Sequence, residues 1–302
     1  MTEARHHHPD LTLIAALLPR GGGRVPKKVN RRFDRFLLEL PRKGVRIERT
    51  GEASVRLYEG EHRQRPSPAL LWIHGGGYVG GFAAMDDSFC RAVVKELGIV
   101  VASVEYRRAP EHPFPVPLHD CHDALEWLAD RDTVDRSRIA IGGASAGGGL
   151  AAGLALLAHE RGVVAPRFQL LSYPMLDDRT VLRRDIDETH FRLWNNAKNA
   201  YGWAHYLDAE PGSDSIDALA APARALDLAG LPDAWIGVGT HDLFYDEAVE
   251  YASRLRAAGV DTELSVVEGA FHAFDAVWRQ AGVSRRYRAA QIAALGKALG
   301  ND

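Results

Sequence analysis

The chain has 302 residues, of which 46% are hydrophobic and 25% are charged, the balance of an ordinary globular protein. Its 37 Lys and Arg against 40 Asp and Glu give a net charge of −3, so we expect no nucleic-acid partner. No apolar stretch is long enough to span a membrane, and the polar first residues lack the apolar core of a secretory signal. Cys90 and Cys121 are the only cysteines and suggest no disulfide framework, so the cytoplasm is the expected location.

The first 44 residues favour short amphipathic helices. Residues 11–18 are largely apolar, and residues 30–40 place apolar side chains at helical spacing, with a Gly-Gly-Gly break between the two segments. The histidine run at 6–8 could bind a metal, but such a run is more typical of a solvated tail. We therefore predict no metal site.

From residue 45 onward, short apolar runs alternate with helical patterns. The runs that have the length and composition of strands are 45–48, 54–58, 70–73, 99–104, 139–141, 169–172, 235–238 and 264–267. Helical patterns lie near 86–97, 119–130, 147–160 and 246–258, with a last one after residue 277. Strands separated by helices pair in parallel, so the predicted fold class is α/β, with a mostly parallel central sheet and helices on both faces.

Residues 178–222 interrupt this alternation. The segment is too long for a plain connection, so we predict a folded insertion that caps the sheet. Its aromatic residues either line a pocket for the substrate or form the core of the insertion itself, and both alternatives stay open. Phe191 and Trp194 are the candidate substrate-binding residues.

Residues 143–147 read Gly-Ala-Ser-Ala-Gly, between an apolar run and a small-residue helical pattern. The G-x-S-x-G pattern in a strand-turn-helix context predicts a sharp turn that exposes the hydroxyl of Ser145 as a nucleophile. Residues 74–77 read His-Gly-Gly-Gly after another buried strand. Glycine backbone in such a loop can approach a developing oxyanion, so we expect the N–H groups of Gly76, Gly77 and Ala146 to form an oxyanion hole.

A serine hydroxyl needs a base, and the base needs an orienting carboxylate. In strand-elbow-helix hydrolases the chain order is Ser, then Asp or Glu, then His, each after a strand. His272 follows the last predicted strand and Asp242 the one before it, so they are the predicted base and acid. Asp246 and Glu247 are alternative carboxylates, but they better suit the start of a helix. His241, beside Asp242, is an alternative base.

Several further segments carry a family resemblance. They read H-G-G-G-Y at 74–78, Y-R-R-A-P-E-H-P-F-P at 106–115, Y-P-M-L-D at 173–177, D-L-F-Y-D-E at 242–247 and G-A-F-H-A-F at 269–274. Together they resemble the bacterial hormone-sensitive-lipase-like esterases, the α/β-hydrolase-3 group. The resemblance implies an α/β-hydrolase catalytic domain over residues 45–302. It also implies a helical cap made from residues 1–44 and the 178–222 insertion, and cleavage of short to medium acyl esters without a cofactor.

One position departs from the family pattern, because Ala144 stands where an acidic residue often precedes the nucleophile. The expected partner is a small-molecule ester, and the edge of the last strand leaves a homodimer possible. An amidase, deacetylase or acyltransferase could use the same three residues. A non-catalytic ligand-binding protein is disfavoured because Ser145, Asp242 and His272 are all present.

Overall fold

The computed structural model of the chain describes residues 6–20, 44–60 and 65–300. Within these ranges, the strands are β1 (Val45–Thr50), β2 (Ala53–Tyr58), β3 (Ser67–Ile73), β4 (Val100–Glu105), β5 (Val134–Ala144), β6 (Phe168–Ser172), β7 (Asp233–His241) and β8 (Thr262–Phe271). They form one sheet in the order β1-β2-β4-β3-β5-β6-β7-β8. β2 is antiparallel to β1 and β4, and every other neighbouring pair is parallel. The predicted mostly parallel sheet is confirmed.

The α-helices in the described residues are α1 (Thr12–Leu17), α2 (Asp87–Leu97), α3 (Val116–Ala129), α4 (Ala146–Arg161), α5 (Asn196–Leu207), α6 (Tyr245–Ala257), α7 (Phe274–Val277) and α8 (Gly282–Leu299). The chain moves from β3 to β4 in one direction and from β4 to β5 in the other. Right-handed crossovers therefore place α2 and α3 on opposite faces. In agreement, α2 packs against α8, and α3 packs against α4.

The centre of the sheet is apolar on both faces. All seven residues of β3 are buried, as expected for a strand covered by helices above and below. The carboxyl ends of β5, β7 and β8 lie at one edge of the sheet, because these strands run parallel. Side chains that follow these strands are thereby brought together. No helix among the described residues is long and apolar enough to cross a membrane.

The connection between β6 and β7 holds α5 and the aromatic residues noted in the sequence. Trp203 and Tyr206 are fully buried, and the ring of Tyr206 stacks on Tyr78 at 3.9 Å between centroids. These two aromatics anchor the insertion to Tyr78, in the loop that follows β3. The proposed extent of the cap, residues 1–44 and 178–222, stays a prediction, and the predicted helix at 30–40 and the Gly-Gly-Gly break lie outside the described residues.

The N-terminal segment, residues 6–20, packs against the rest of the described molecule instead of forming a solvated tail. The N–H of His8 donates to the carbonyl of Gly269 at 2.9 Å, and a side chain on Gly269 would collide with His8. Arg192 of the insertion donates to the carbonyl of Ala15 in α1 at 2.6 Å. The expectation of a solvated histidine run is wrong for His7, which lies half-buried among other rings.

Candidate active site

Ser145 occupies a sharp turn between the end of β5 and the start of α4. Its backbone angles are φ 57° and ψ −123°, a conformation that side-chain-bearing residues rarely adopt. Glycines make the turn possible, because a Cβ at Gly143 would lie 2.3 Å from the carbonyl oxygen of Gly147 and one at Gly147 would lie 2.1 Å from that of Ile73. Hydrogen bonds fix the turn: the N–H of Ser145 donates to the Ser172 carbonyl, and the N–H groups of Gly149 and Met175 donate to the Ser145 carbonyl.

Ser145, His272 and Asp242 follow three different strands and meet at the sheet edge. The hydroxyl of Ser145 lies 3.0 Å from Nε2 of His272, and Nδ1 of His272 lies 2.8 Å from Oδ2 of Asp242. All three residues are buried. A serine, imidazole and carboxylate in this order can move the hydroxyl proton to the imidazole while the carboxylate fixes the imidazole tautomer.

The carboxylate of Asp242 uses both oxygens. Oδ2 accepts from His272, and Oδ1 accepts the N–H of Phe244 at 3.0 Å, just before α6 begins. The rival Glu247 is engaged elsewhere, since it accepts the N–H groups of Leu176 and Asp177 at 2.6 Å each. Burial raises the pKa of Glu247 well above its ordinary value. Asp242 is therefore the carboxylate in hydrogen-bonding position for the histidine.

The rival histidine, His241, packs against two other histidines. Its Nδ1 lies 3.4 Å from Nδ1 of His7, and its ring stacks on His190 at 4.6 Å between centroids. Burial lowers the pKa of His7 to about 4, with further lowering by Arg192 and the two neighbouring imidazoles. These three histidines form a cluster of their own, separate from the serine.

The glycine loop after β3 faces Ser145. Gly76 and Gly77 have φ values of 127° and 60°, which favour glycine, and a Cβ at Gly75 would lie 2.8 Å from the carbonyl oxygen of Ala144. In the turns and loops that the structure describes, the N–H groups of Gly76, Gly77 and Ala146 donate to no backbone carbonyl. Ala146 also opens α4, whose N-terminus carries a partial positive charge. The loop can thus offer donors to a negatively charged oxygen.

His74 anchors this loop from within the protein. Its Nδ1–H donates to the carbonyl of Gly75 at 2.7 Å, and its ring stacks on Tyr106 at 4.3 Å between centroids. The hydroxyl of Tyr106 donates to the His74 carbonyl at 3.0 Å. Burial lowers the pKa of His74 to about 3, so the ring is neutral at physiological pH. The sequence prediction of an anchoring role agrees with these contacts.

The chain is similar to known proteins both in sequence and in structure. The sequence profile of the alpha/beta hydrolase fold family matches residues 70–276. Carboxylesterase NlhH of Mycobacterium tuberculosis is 35% identical over 248 residues, which cover 76% of this chain and 73% of the relative. Ethyl acetate hydrolase of Pseudomonas putida is 33% identical over 68% of this chain and 65% of the relative. The solved structure of a bacterial heroin esterase, 37% identical, superposes with a TM-score of 0.86 over 98% of this chain and 99% of that one.

The chain belongs to the alpha/beta hydrolase fold family. Within that family it is a hormone-sensitive-lipase-like enzyme, a carboxylic ester hydrolase. The resemblance drawn from the sequence motifs is thereby confirmed.

Behind the nucleophile of this esterase lies a small cavity of about 50 Å³ that Ala144 helps to line. Asp86 and Asp275 line it too; burial raises the pKa of Asp86 to about 6 and also raises the pKa of Asp275. The Trp72 indole donates to Asp86 at 2.8 Å, and the Tyr173 hydroxyl donates to Asp275 at 3.0 Å. A carboxylate at position 144 would join two half-buried acids in a cavity that Arg279 and Arg288 also line.

The two aromatic residues chosen as substrate-binding candidates lie in different environments. Trp194 of the esterase packs on the glycine loop, where a Cβ at Gly77 would lie 2.2 Å from its Cη2 atom, and its ring centroid lies 6.2 Å from that of His272. Phe191 is only 8% exposed and belongs to the hydrophobic core. Among the described residues, no ring contact joins Phe191 to His272.

Two residues beside the imidazole were missed by the sequence reasoning. Tyr173 and Phe244 pack edge-on against His272, with centroids 4.9 and 5.3 Å away. Tyr173 follows β6 directly and has a φ of 36°, a strained value for a side-chain-bearing residue. Its place after a buried strand, next to the strand that bears the nucleophile, was the signal that could have identified it.

Proposed function

We propose that this esterase hydrolyses short- to medium-chain acyl esters through an acyl-enzyme intermediate on Ser145, with His272 as the base and Asp242 as the carboxylate that orients the base. The observation that carries the proposal is the buried, continuous relay from Ser145 through His272 to Asp242. Two similar proteins, an ethyl acetate hydrolase and a heroin esterase, support small esters as substrates.

In the first half of the reaction, the Ser145 oxygen attacks the ester carbonyl carbon as its proton passes to Nε2 of His272. The carbonyl oxygen gains the negative charge and is stabilised by the N–H groups of Gly76, Gly77 and Ala146, each contributing about 3 kcal/mol. Collapse of this intermediate breaks the ester C–O bond, and the imidazolium returns its proton to the departing alcohol. Ser145 is left acylated.

In the second half, water takes the place of the alcohol. His272 removes a proton from the water as the water oxygen attacks the acyl carbon, and the same donors stabilise the second oxyanion. Breakage of the bond to Ser145 releases the carboxylic acid, and the proton returns from His272 to the serine oxygen. Trp194, at the loop that bears the donors, is positioned to contact the acyl chain.

The decisive experiment is Ser145→Ala, assayed with p-nitrophenyl acetate and butyrate. Loss of the nucleophile should lower kcat by about 10³-fold or more with the melting temperature unchanged, since only the oxyanion donors remain. An organophosphate should add one adduct per chain to the parent, mapped to the peptide that carries Ser145, and none to the variant. Turnover by Ser145→Ala within about tenfold of the parent would show that another nucleophile operates.

An amidase, deacetylase or acyltransferase would share the first half of this scheme and differ in the leaving group or acceptor. A matched pair of substrates, a p-nitrophenyl ester and the p-nitroanilide of the same acid, separates ester from amide cleavage. Added alcohol separates hydrolysis from transfer. We expect ester hydrolysis to dominate, in line with the names of the relatives.

A further inference from the structure

Three histidines from distant parts of the sequence meet beside the active site. His7 belongs to the N-terminal segment, His190 belongs to the insertion between β6 and β7, and His241 is the last residue of β7. Ring centroids lie 5.5 Å apart for His7 and His190, 5.1 Å for His7 and His241, and 4.6 Å for His190 and His241. Each can present one ring nitrogen so that all three nitrogens lie within 4.8 Å of one another.

We propose that His7, His190 and His241 form a site for a divalent transition-metal ion, with zinc as the first choice, that ties the N-terminal segment and the insertion to the end of β7. Zinc binds imidazole nitrogen at about 2.0–2.1 Å, so tetrahedral ligands stand about 3.4 Å apart. The rings of His7 and His241 already approach this spacing, since their Nδ1 atoms are 3.4 Å apart. Imidazole ligands suit zinc, copper and nickel, whereas calcium and magnesium prefer oxygen.

A second observation concerns His7 itself. Its Nε2 atom is buried and has no hydrogen-bond partner in the described part of the chain. A buried polar atom without a partner is destabilising, so Nε2 is the nitrogen of His7 that an ion would satisfy, while Nδ1 keeps its contact with His241.

The charges around the cluster are compatible with a cation. Asp187 stands three residues before His190, and Thr189 donates its N–H and its hydroxyl to the Asp187 carboxylate. Arg192, two residues after His190, is the opposing charge. Its guanidinium, however, is directed to the carbonyls of Ala15, Thr189 and Phe191.

A rival cluster lies elsewhere and is less suited to a metal. His122, Asp123 and Glu126 are neighbours along α3. The Nδ1 atom of His122 is already bonded to the guanidinium of Arg161 at 3.2 Å, which places a cation where the metal would go. This cluster joins no separate segments, whereas the histidine cluster joins three. Glu126 therefore serves as a control position.

The test is zinc binding by the parent protein after EDTA treatment and removal of the chelator, measured by isothermal titration calorimetry. We expect one equivalent per chain and a melting temperature that rises with zinc concentration, because the metal binds only the folded arrangement of the three segments. His190→Gln and His7→Gln should each weaken binding by about tenfold or more. His6→Gln, in the same run but exposed, and Glu126→Gln should bind zinc like the parent.

Cobalt provides a second readout if a variant proves unstable. Tetrahedral Co²⁺ absorbs strongly in the visible range, and the parent should show these bands while His190→Gln and His7→Gln should not. No saturable binding by the parent would overturn the proposal. Binding that His6→Gln weakens and His190→Gln leaves unchanged would also overturn it, because it would assign the metal to the run at 6–8 alone. Neither result bears on ester hydrolysis, since the cluster does not include the serine, its base or its acid.

Discussion

At the scale of single residues, chemistry depends on which imidazole faces the serine. His272 bonds to Ser145 and Asp242, whereas His241 contacts His7 and His190. We therefore expect His272→Gln to lower kcat by about 10³-fold or more, since neither a proton acceptor nor its orienting bond remains. His241→Gln should reduce kcat by no more than about tenfold. Steady-state kinetics on p-nitrophenyl butyrate provides the comparison, and the reverse ranking would show that the base is misassigned.

The glycine loop offers a second residue-scale prediction. Gly77→Ala adds a methyl group at a φ of 60° and 2.2 Å from Trp194, so both backbone strain and a collision follow. We expect kcat/KM to fall by about 10- to 100-fold, because the donors and the indole are displaced together. Gly98→Ala is the matched control, with a φ of 65° but open space around it, and it should affect stability alone.

In the double variant Gly77→Ala with Trp194→Ala, the collision is removed while the backbone strain remains. Part of the lost activity should return. If the double variant is as slow as the single one, the indole is not the source of the loss, and strain in the loop explains it.

At the scale of elements, the aromatic residues of the insertion between β6 and β7 have two different surroundings, the hydrophobic core and the glycine loop. Trp203 and Tyr206 are buried against Tyr78, whereas Trp194 lies over the glycine loop. Trp194→Ala should therefore change the ratio of kcat/KM values for acetate, butyrate, hexanoate and decanoate esters. Apolar pockets discriminate by about 1–3 kcal/mol per methylene, so the shift should be graded.

Phe191→Ala is the informative comparison for Trp194→Ala. Phe191 is almost fully buried in the core, so its truncation should lower the free energy of unfolding by about 3–5 kcal/mol and leave the ratio of ester rates nearly unchanged. Chemical denaturation and the ester panel measure the two effects separately. A changed ratio in Phe191→Ala with an unchanged ratio in Trp194→Ala would reverse the assignment of the two residues.

At the scale of the whole molecule, buried neutral histidines make stability depend on pH. The folded-state pKa of His74 is about 3, whereas an unfolded histidine has a pKa of about 6.5. Between pH 6.5 and pH 3, His74 is protonated in the unfolded chain and neutral in the folded chain. The contribution of His74 is therefore fully present above pH 6.5 and is lost as pH falls toward 3.

This pH effect can be isolated by substitution. Between pH 7 and pH 5 the parent should lose about 2 kcal/mol more free energy of unfolding than His74→Asn, which has no titrating ring. Urea denaturation of both proteins at the two pH values measures the difference. Equal losses in parent and variant would show that His74 does not resist protonation in the folded state.

The sequence by itself determined those features that depend on local chemistry and on strand periodicity. The mostly parallel sheet followed from buried apolar runs separated by helices. The turn at Ser145 followed from its flanking glycines, at which a side chain would collide with the neighbouring backbone. The proximity of Ser145, Asp242 and His272, up to 127 positions apart, also followed from the sequence, because parallel strands bring their carboxyl ends to one edge. Their roles in turnover stay a prediction that Ser145→Ala and His272→Gln test.

The tertiary structure alone decided what depends on packing between distant segments. β5 begins at Val134, earlier than the apolar run suggests, because Val134 pairs with Ser67 across a shift in register. The division of aromatics between core and active site, the two half-buried acids beside Ala144, and the packing of His7 on His241 have no periodic signal. Each depends on the volume and charge of neighbours far away in the sequence, and a linear pattern does not record which neighbours those will be.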